Sequence, residues 1–162
     1  MHDAPHGHPD MHWPSGFTPQ TAHTFCQARA VISSSPDRVF ALLTDMARWP
    51  EWVPGITEVR LGPHASAFEV ELHDHRFEVI IGERAEPRRL GWSGIGAGVQ
   101  LYQAWLLTEV GDKTHVVTEA VVRGPAAKSI GALSPTWAER LNARWLAQLK
   151  RLAETAPEAT AR

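Results

Sequence analysis

The stretch Ser134 to Glu154, SPTWAERLNARWLAQLKRLAE, constrains the chain most. Ser134 suits a helix N-cap, because its hydroxyl can accept from a free backbone N–H of the first turn. Pro135 suits the first helical position, where a missing N–H costs nothing. Trp137, Ala138, Leu141, Trp145, Leu149 and Leu152 then recur at helical spacing and form one apolar stripe. Glu139, Arg140, Lys150, Arg151 and Glu154 fall mostly on the other side. A stripe with two tryptophans needs a broad apolar surface to cover it. The rest of the chain reads largely as strands, so a curved sheet wrapped around this helix is expected.

The strands can be placed from their alternation. Thr24–Ser33 alternates polar Gln27 and Arg29 with Ala28, Ala30 and Ile32, the pattern of a half-buried strand. Ser35-Pro36-Asp37 opens a helix with Val39, Phe40, Leu42, Leu43 and Met46 on its apolar side. Pro50 is expected to end it by disfavouring helical geometry at Trp49, and a second short helix fits 47–52. Strands follow at Ile56–Leu61, Ala67–His73, Arg76–Arg84, Arg89–Ile95, Val99–Glu109 and Thr114–Arg123. Asp74 and Gly111-Asp112 mark hairpin turns. Gly94, Gly96 and Gly98 mark a loose turn. Their GxGxG string lies between strands and opens no helix, so it does not read as a dinucleotide site. Gly124-Pro125 closes the sheet, a small-residue connection spans 126–133, and the chain frays from about residue 157. The fold class expected is α+β: a seven-stranded antiparallel sheet around one long C-terminal helix, with two short helices after the first strand.

Composition narrows the function. The chain has 162 residues, enough for one domain with a real core. Its net charge of −2 speaks against nucleic acid or an acidic membrane as partner. No apolar run is long enough to span a bilayer, and the N-terminus shows no signal-peptide pattern. The single cysteine, Cys26, fits a reducing compartment, and the cytoplasm is the expected location. Residues 1–22 are rich in Pro, Gly and His, show no periodicity and read as a flexible leader, with the domain proper at 23–156 and a frayed end at 157–162. His2, His6, His8 and His12 could chelate a divalent metal, but histidines on a floppy segment bind weakly, and no metal or cofactor is expected.

The phrase ISSSPDRVFALLTDMARWPEWVPGITEV, with Arg89-Leu90-Gly91-Trp92, Trp105-x-Leu107, Thr114-x-Val116 followed by Glu119, and Gly124-Pro125, resembles the START-like or Bet v 1-like superfamily, the polyketide cyclase/dehydrase group. The resemblance covers roughly residues 24–155. It implies a helix-grip fold with a hydrophobic cavity between sheet and long helix. Members of that group bind lipids, sterols, polyketides or hormones, and some cyclise or dehydrate polyketides.

Strand parity alone names the inward side. It comprises Phe68, Val70 and Leu72; Phe77, Val79 and Ile81; Leu90, Trp92 and Gly94; Leu101, Gln103, Trp105 and Leu107; and Val116, Thr118, Ala120 and Val122. Gln103 and Thr118 are its polar members, with Glu83 a third candidate near a strand end. The ligand-contacting set expected is Phe77, Val79, Trp92, Gln103, Trp105, Thr118, Leu141 and Trp145. No catalytic residue is expected: there is no nucleophile elbow, metal triad or carboxylate pair, and His64 and His73-Asp74-His75 fall at turns. The first function expected is binding or transport of a small hydrophobic molecule. A polyketide cyclase or dehydratase is the alternative. A protein-interaction module using an exposed Trp49–Trp52 segment is the third.

Overall fold

The structure, a computed structural model, describes residues 7–64, 66–124 and 136–155. Strand β1 (Thr24–Ile32) leads into helices α1 (Pro36–Thr44) and α2 (Trp49–Trp52). Strands β2 (Ile56–Leu61), β3 (Ala67–Leu72), β4 (His75–Ala85), β5 (Arg89–Gly96), β6 (Val99–Val110) and β7 (Lys113–Arg123) follow, then helix α3 (Trp137–Thr155). The seven strands form one sheet in the order β1-β7-β6-β5-β4-β3-β2, every pair antiparallel.

Local chemistry explains these bounds. The Ser35 hydroxyl accepts from the Arg38 N–H at 3.2 Å and caps α1. Two-residue turns join β3 to β4 at His73-Asp74 and β5 to β6 at Ala97-Gly98, with positive φ at all four positions. That geometry matches the right-handed twist of the paired strands, so the loose turn expected over Gly94–Gly98 is a tight one at Ala97-Gly98, with Gly94 and Gly96 inside β5. Trp49 is helical (φ −52°, ψ −38°) and opens α2, with Pro50 in its first turn; α1 has already ended at Thr44. Ser134, Pro135 and the connection 126–133 lie outside the described residues.

Helix α3 lies across the concave face and packs on β1, β7 and α1. Its C-terminal end is tied down. Lys150 Nζ donates to the Val31 carbonyl at 2.7 Å, Glu154 accepts from the Ser33 N–H at 2.9 Å, and Arg38 Nε donates to the Ala153 carbonyl at 3.3 Å. The core there is closed, with Ile32, Val39, Phe40, Leu43 and Leu149 all fully buried. The N-terminal half of α3 stands over the more open end of the sheet.

The convex face has its own cover. Residues 7–22 cross it, and the expectation of a leader without packing does not hold there. Met11 is buried against Tyr102, Ala104, Leu106 and Val117, with Trp13 and Phe17 alongside. Arg89 and Arg123 donate to the carbonyls of Asp10 and Gly16, Arg123 also sits over the Phe17 ring, and His12 Nδ1 meets Glu83 Oε2 at 2.7 Å. Beneath this strap Glu119 is fully buried, accepting from the His8 N–H and from Gln27 Nε2, each at 2.6 Å. His2 and His6 lie outside the described residues.

Candidate functional site: a tryptophan-walled cavity

The open end of the concave face holds a cavity. Its floor comes from six strands: Ile56 on β2, Val70 and Leu72 on β3, Phe77 and Val79 on β4, Trp92 and Gly94 on β5, Leu101 and Gln103 on β6, Ala120 and Val122 on β7. Its roof is one face of α3 (Trp137, Ala138, Leu141, Asn142 and Trp145), and Trp49 from α2 closes one side. The roof residues recur at helical spacing, and the floor residues share one parity because strand side chains alternate. The cavity volume is about 60 Å3. It admits a few waters, whereas pockets for drug-sized ligands run to ~300–1,000 Å3. A larger guest requires the walls to move.

Four indoles, Trp49, Trp92, Trp137 and Trp145, stand in those walls. Trp49 and Trp145 meet edge to face at 5.1 Å between ring centroids, Trp92 lies 5.6 Å from Trp145 at 32°, and Trp105 lies behind both at 6.2 and 5.8 Å. Trp49 is anchored by donation from Nε1 to the Leu43 carbonyl at 3.0 Å. The indole nitrogens of Trp105 and Trp145 are buried without a hydrogen-bond partner among the described residues.

One polar chain crosses this apolar space. Gln103 Nε2 donates to Thr118 Oγ1 at 2.7 Å and to Asn142 Oδ1 at 3.0 Å. Thr118 Oγ1 donates to the Ala104 carbonyl at 3.1 Å, and Asn142 Nδ2 donates to Cys26 Sγ at 3.3 Å. Buried amides demand such partners. Burial, then Glu139 nearby, pushes the Cys26 thiol up to about 12. It is a neutral acceptor here rather than a nucleophile, because reactivity needs the thiolate.

The structure brings together six of the eight expected contact residues. Phe77, Val79, Trp92, Gln103, Leu141 and Trp145 line the cavity; Trp105 stands behind Trp92 and Trp145, and Thr118 behind Gln103. Glu83 is not inward. A bulge between Ile81 and Glu83 switches the parity, so Glu83 pairs with Gly91 and meets His12 on the convex side. Trp49 is 1% exposed and part of the wall, so Trp49–Trp52 offers no exposed tryptophan pair for a partner. Asn142 was missed by sequence reasoning, although its spacing to Ala138 and Trp145 sets it within the apolar stripe. His64, His73 and Asp74 are exposed, and among the described residues no three His, Cys, Asp or Glu side chains gather as a metal site. No helix among them is long and apolar enough to cross a membrane.

Comparison with known proteins supports this geometry. A family model described as polyketide cyclase / dehydrase and lipid transport matches residues 26–154. A hypothetical protein from Helicobacter pylori superposes with a TM-score of 0.76 at 18% identity, over 91% of this chain and 98% of the other. A START superfamily protein from Mycobacterium smegmatis gives 0.60 at 15% identity, over 80% and 94%. DynU16, a protein from the dynemicin biosynthetic locus, gives 0.59 at 17% identity, over 81% of this chain and 47% of the other. At these identities the structural likeness establishes the fold alone. No curated protein matches the chain by sequence.

Proposed function

The chain belongs to the polyketide cyclase/dehydrase and lipid transport family, and on that premise we propose that it binds a small hydrophobic molecule, aromatic in part, in the cavity between α3 and the sheet. The observation that carries this reading is the lining: apolar and aromatic side chains enclose a space whose only polar lining side chains among the described residues are Gln103 and Asn142. Ligand sites are built this way, with apolar walls for affinity and a few placed polar groups for orientation. The unpaired Cys26 fits a reducing compartment such as the cytoplasm.

The same lining weighs against the cyclase reading. Proton transfer needs a titratable group within reach of the substrate, and none of the described lining residues is one. An amide could instead stabilise a developing oxyanion by donating to it. Both Gln103 amide hydrogens are already committed, to Thr118 and Asn142.

The test is a calorimetric and thermal-shift screen of fatty acids, sterols, polyphenols and polyketide mimics, with native mass spectrometry of freshly purified protein. A ligand is expected to raise the melting temperature by mass action and to perturb tryptophan emission, because Trp49, Trp92, Trp137 and Trp145 line the space. If no compound does either, the cavity is not a binding site.

A further inference from the structure

Gln103 is the polar centre of the cavity, and its neighbours determine which of its two polar atoms a guest meets. Thr118 has one hydroxyl hydrogen, and it is directed to the Ala104 carbonyl. What reaches Thr118 Oγ1 from Gln103 at 2.7 Å is then a donor, the amide nitrogen. The second amide hydrogen goes to Asn142 Oδ1, and Asn142 is itself oriented by donating to Cys26. Reversing the Gln103 amide alone would set its oxygen against the acceptor Oδ1 of Asn142. Reversing both amides would draw the Thr118 hydroxyl away from Ala104. With both hydrogens spent behind it, the amide keeps only Oε1, which has no partner among the described residues and is not a sealed-off atom.

We propose that Gln103 is the specificity-determining residue of this cavity, and that its carbonyl selects aromatic ligands carrying a hydrogen-bond donor, a phenol or an N–H heterocycle, over analogues that can only accept. The inference rests on the reading that the cavity binds small apolar molecules. The tilted Trp92 and Trp145 rings supply the walls for a planar guest. A guest without a donor covers Oε1 and leaves a buried acceptor unpaired, so the site rejects it more strongly than it rewards the correct one. Thr118 is a positioning residue: it touches no guest and acts by holding the amide.

Indole and benzofuran make the test, because they share shape and differ in N–H against ring oxygen. By calorimetry on the full chain, indole is expected to bind about tenfold more tightly than benzofuran. Thr118→Val frees the amide to turn and is expected to bring the two affinities within about twofold, while Thr118→Ser, which keeps the hydroxyl, preserves the preference. Equal binding of indole and benzofuran to the wild-type chain, or a preference for benzofuran, overturns the inference and leaves the binding reading intact. Failure of both compounds, and of every compound in the wider screen, sinks the binding reading and this inference with it. Should the Thr118 variants fail to fold, the wild-type comparison still decides.

Discussion

The two faces of this sheet solve the same problem in different ways. Both are apolar at their centre and both are covered. On the concave side the cover is a regular helix, which touches the sheet along one stripe and leaves a void where the sheet curves away. On the convex side the cover is the irregular strap 7–22, which follows the surface and is fixed by polar anchors to Glu119, Arg89, Arg123 and Glu83. A helix cannot bend into every hollow, so it leaves room for a guest. The strap closes only short turns of its own, at His8–Met11, Pro14–Phe17 and Thr18–Ala22, so its remaining backbone groups need partners from the sheet.

The largest effect that tests this contrast is on the concave side. Trp145 is 4% exposed and touches three other indoles. Trp145→Ala is expected to cost about 3–5 kcal/mol in chemical denaturation. A loss within experimental noise would mean that α3 does not organise the core. The strap should matter less, but measurably. Deleting residues 1–22 uncovers Met11's seat and the Glu119 carboxylate, and a loss on the order of 3 kcal/mol is expected from the apolar area exposed. A melting curve superimposable on that of the full chain would return the segment to the status of a passive leader.

The two covers were not equally legible. The concave one could be read, because helical and strand periods map onto faces: the inward parity of β3 and β5 through β7, and of β4 as far as Ile81, follows from alternation alone. The convex one lacked a period to read. Its signal lay in the strands instead, where Tyr102, Ala104, Leu106, Val117 and Val121 are apolar on the outward parity of β6 and β7. A strand apolar on both sides needs both sides covered, and Met11, Trp13 and Phe17 were the apolar residues available upstream. Glu83 was misplaced because a single-residue bulge leaves no trace in the alternation. Gly91 shows the reverse, a local residue with a long-range reason: a Cβ there would collide with the Tyr102 hydroxyl. The size of the void depends on how four indoles tilt, which spacing does not encode.

Each face also buries one group that gives up its proton only at high pH, Tyr102 on the convex side and Cys26 on the concave, which gives a pH test. Burial, then the charge of Glu83, pushes Tyr102 under the strap up to about 12 from 10.0. Cys26 on the concave side rises to about 12 from 9.0, mainly through burial. In both cases the folded state holds the proton longer than the unfolded chain. Their contribution is therefore fully present below about pH 9 and is lost as pH rises to about 12. Stability should fall on the order of 2 kcal/mol or more across that window. Tyr102→Phe should remove the part between pH 10 and 12, and Cys26→Ala the part that begins near pH 9. An unchanged slope in either variant would mean that the corresponding face opens to solvent far more readily than its packing implies.

The smallest expected effect separates hydrogen bonding from charge beneath the strap. Glu119 Oε2 accepts from the His8 N–H and Gln27 Nε2, Oε1 is buried without a partner, and no cation pairs with the carboxylate among the described residues. Glu119→Gln keeps an oxygen for both donors and removes the unpaired charge, so stability should move by less than about 1 kcal/mol. Glu119→Ala leaves both donors without an acceptor and should cost about 1–3 kcal/mol. Hydrogen exchange at the His8 amide reads the contact directly: it should stay protected in the glutamine variant and lose protection in the alanine variant. If the glutamine variant loses as much as the alanine one, the negative charge itself holds the strap, and the convex cover is electrostatic where the concave one is a matter of packing.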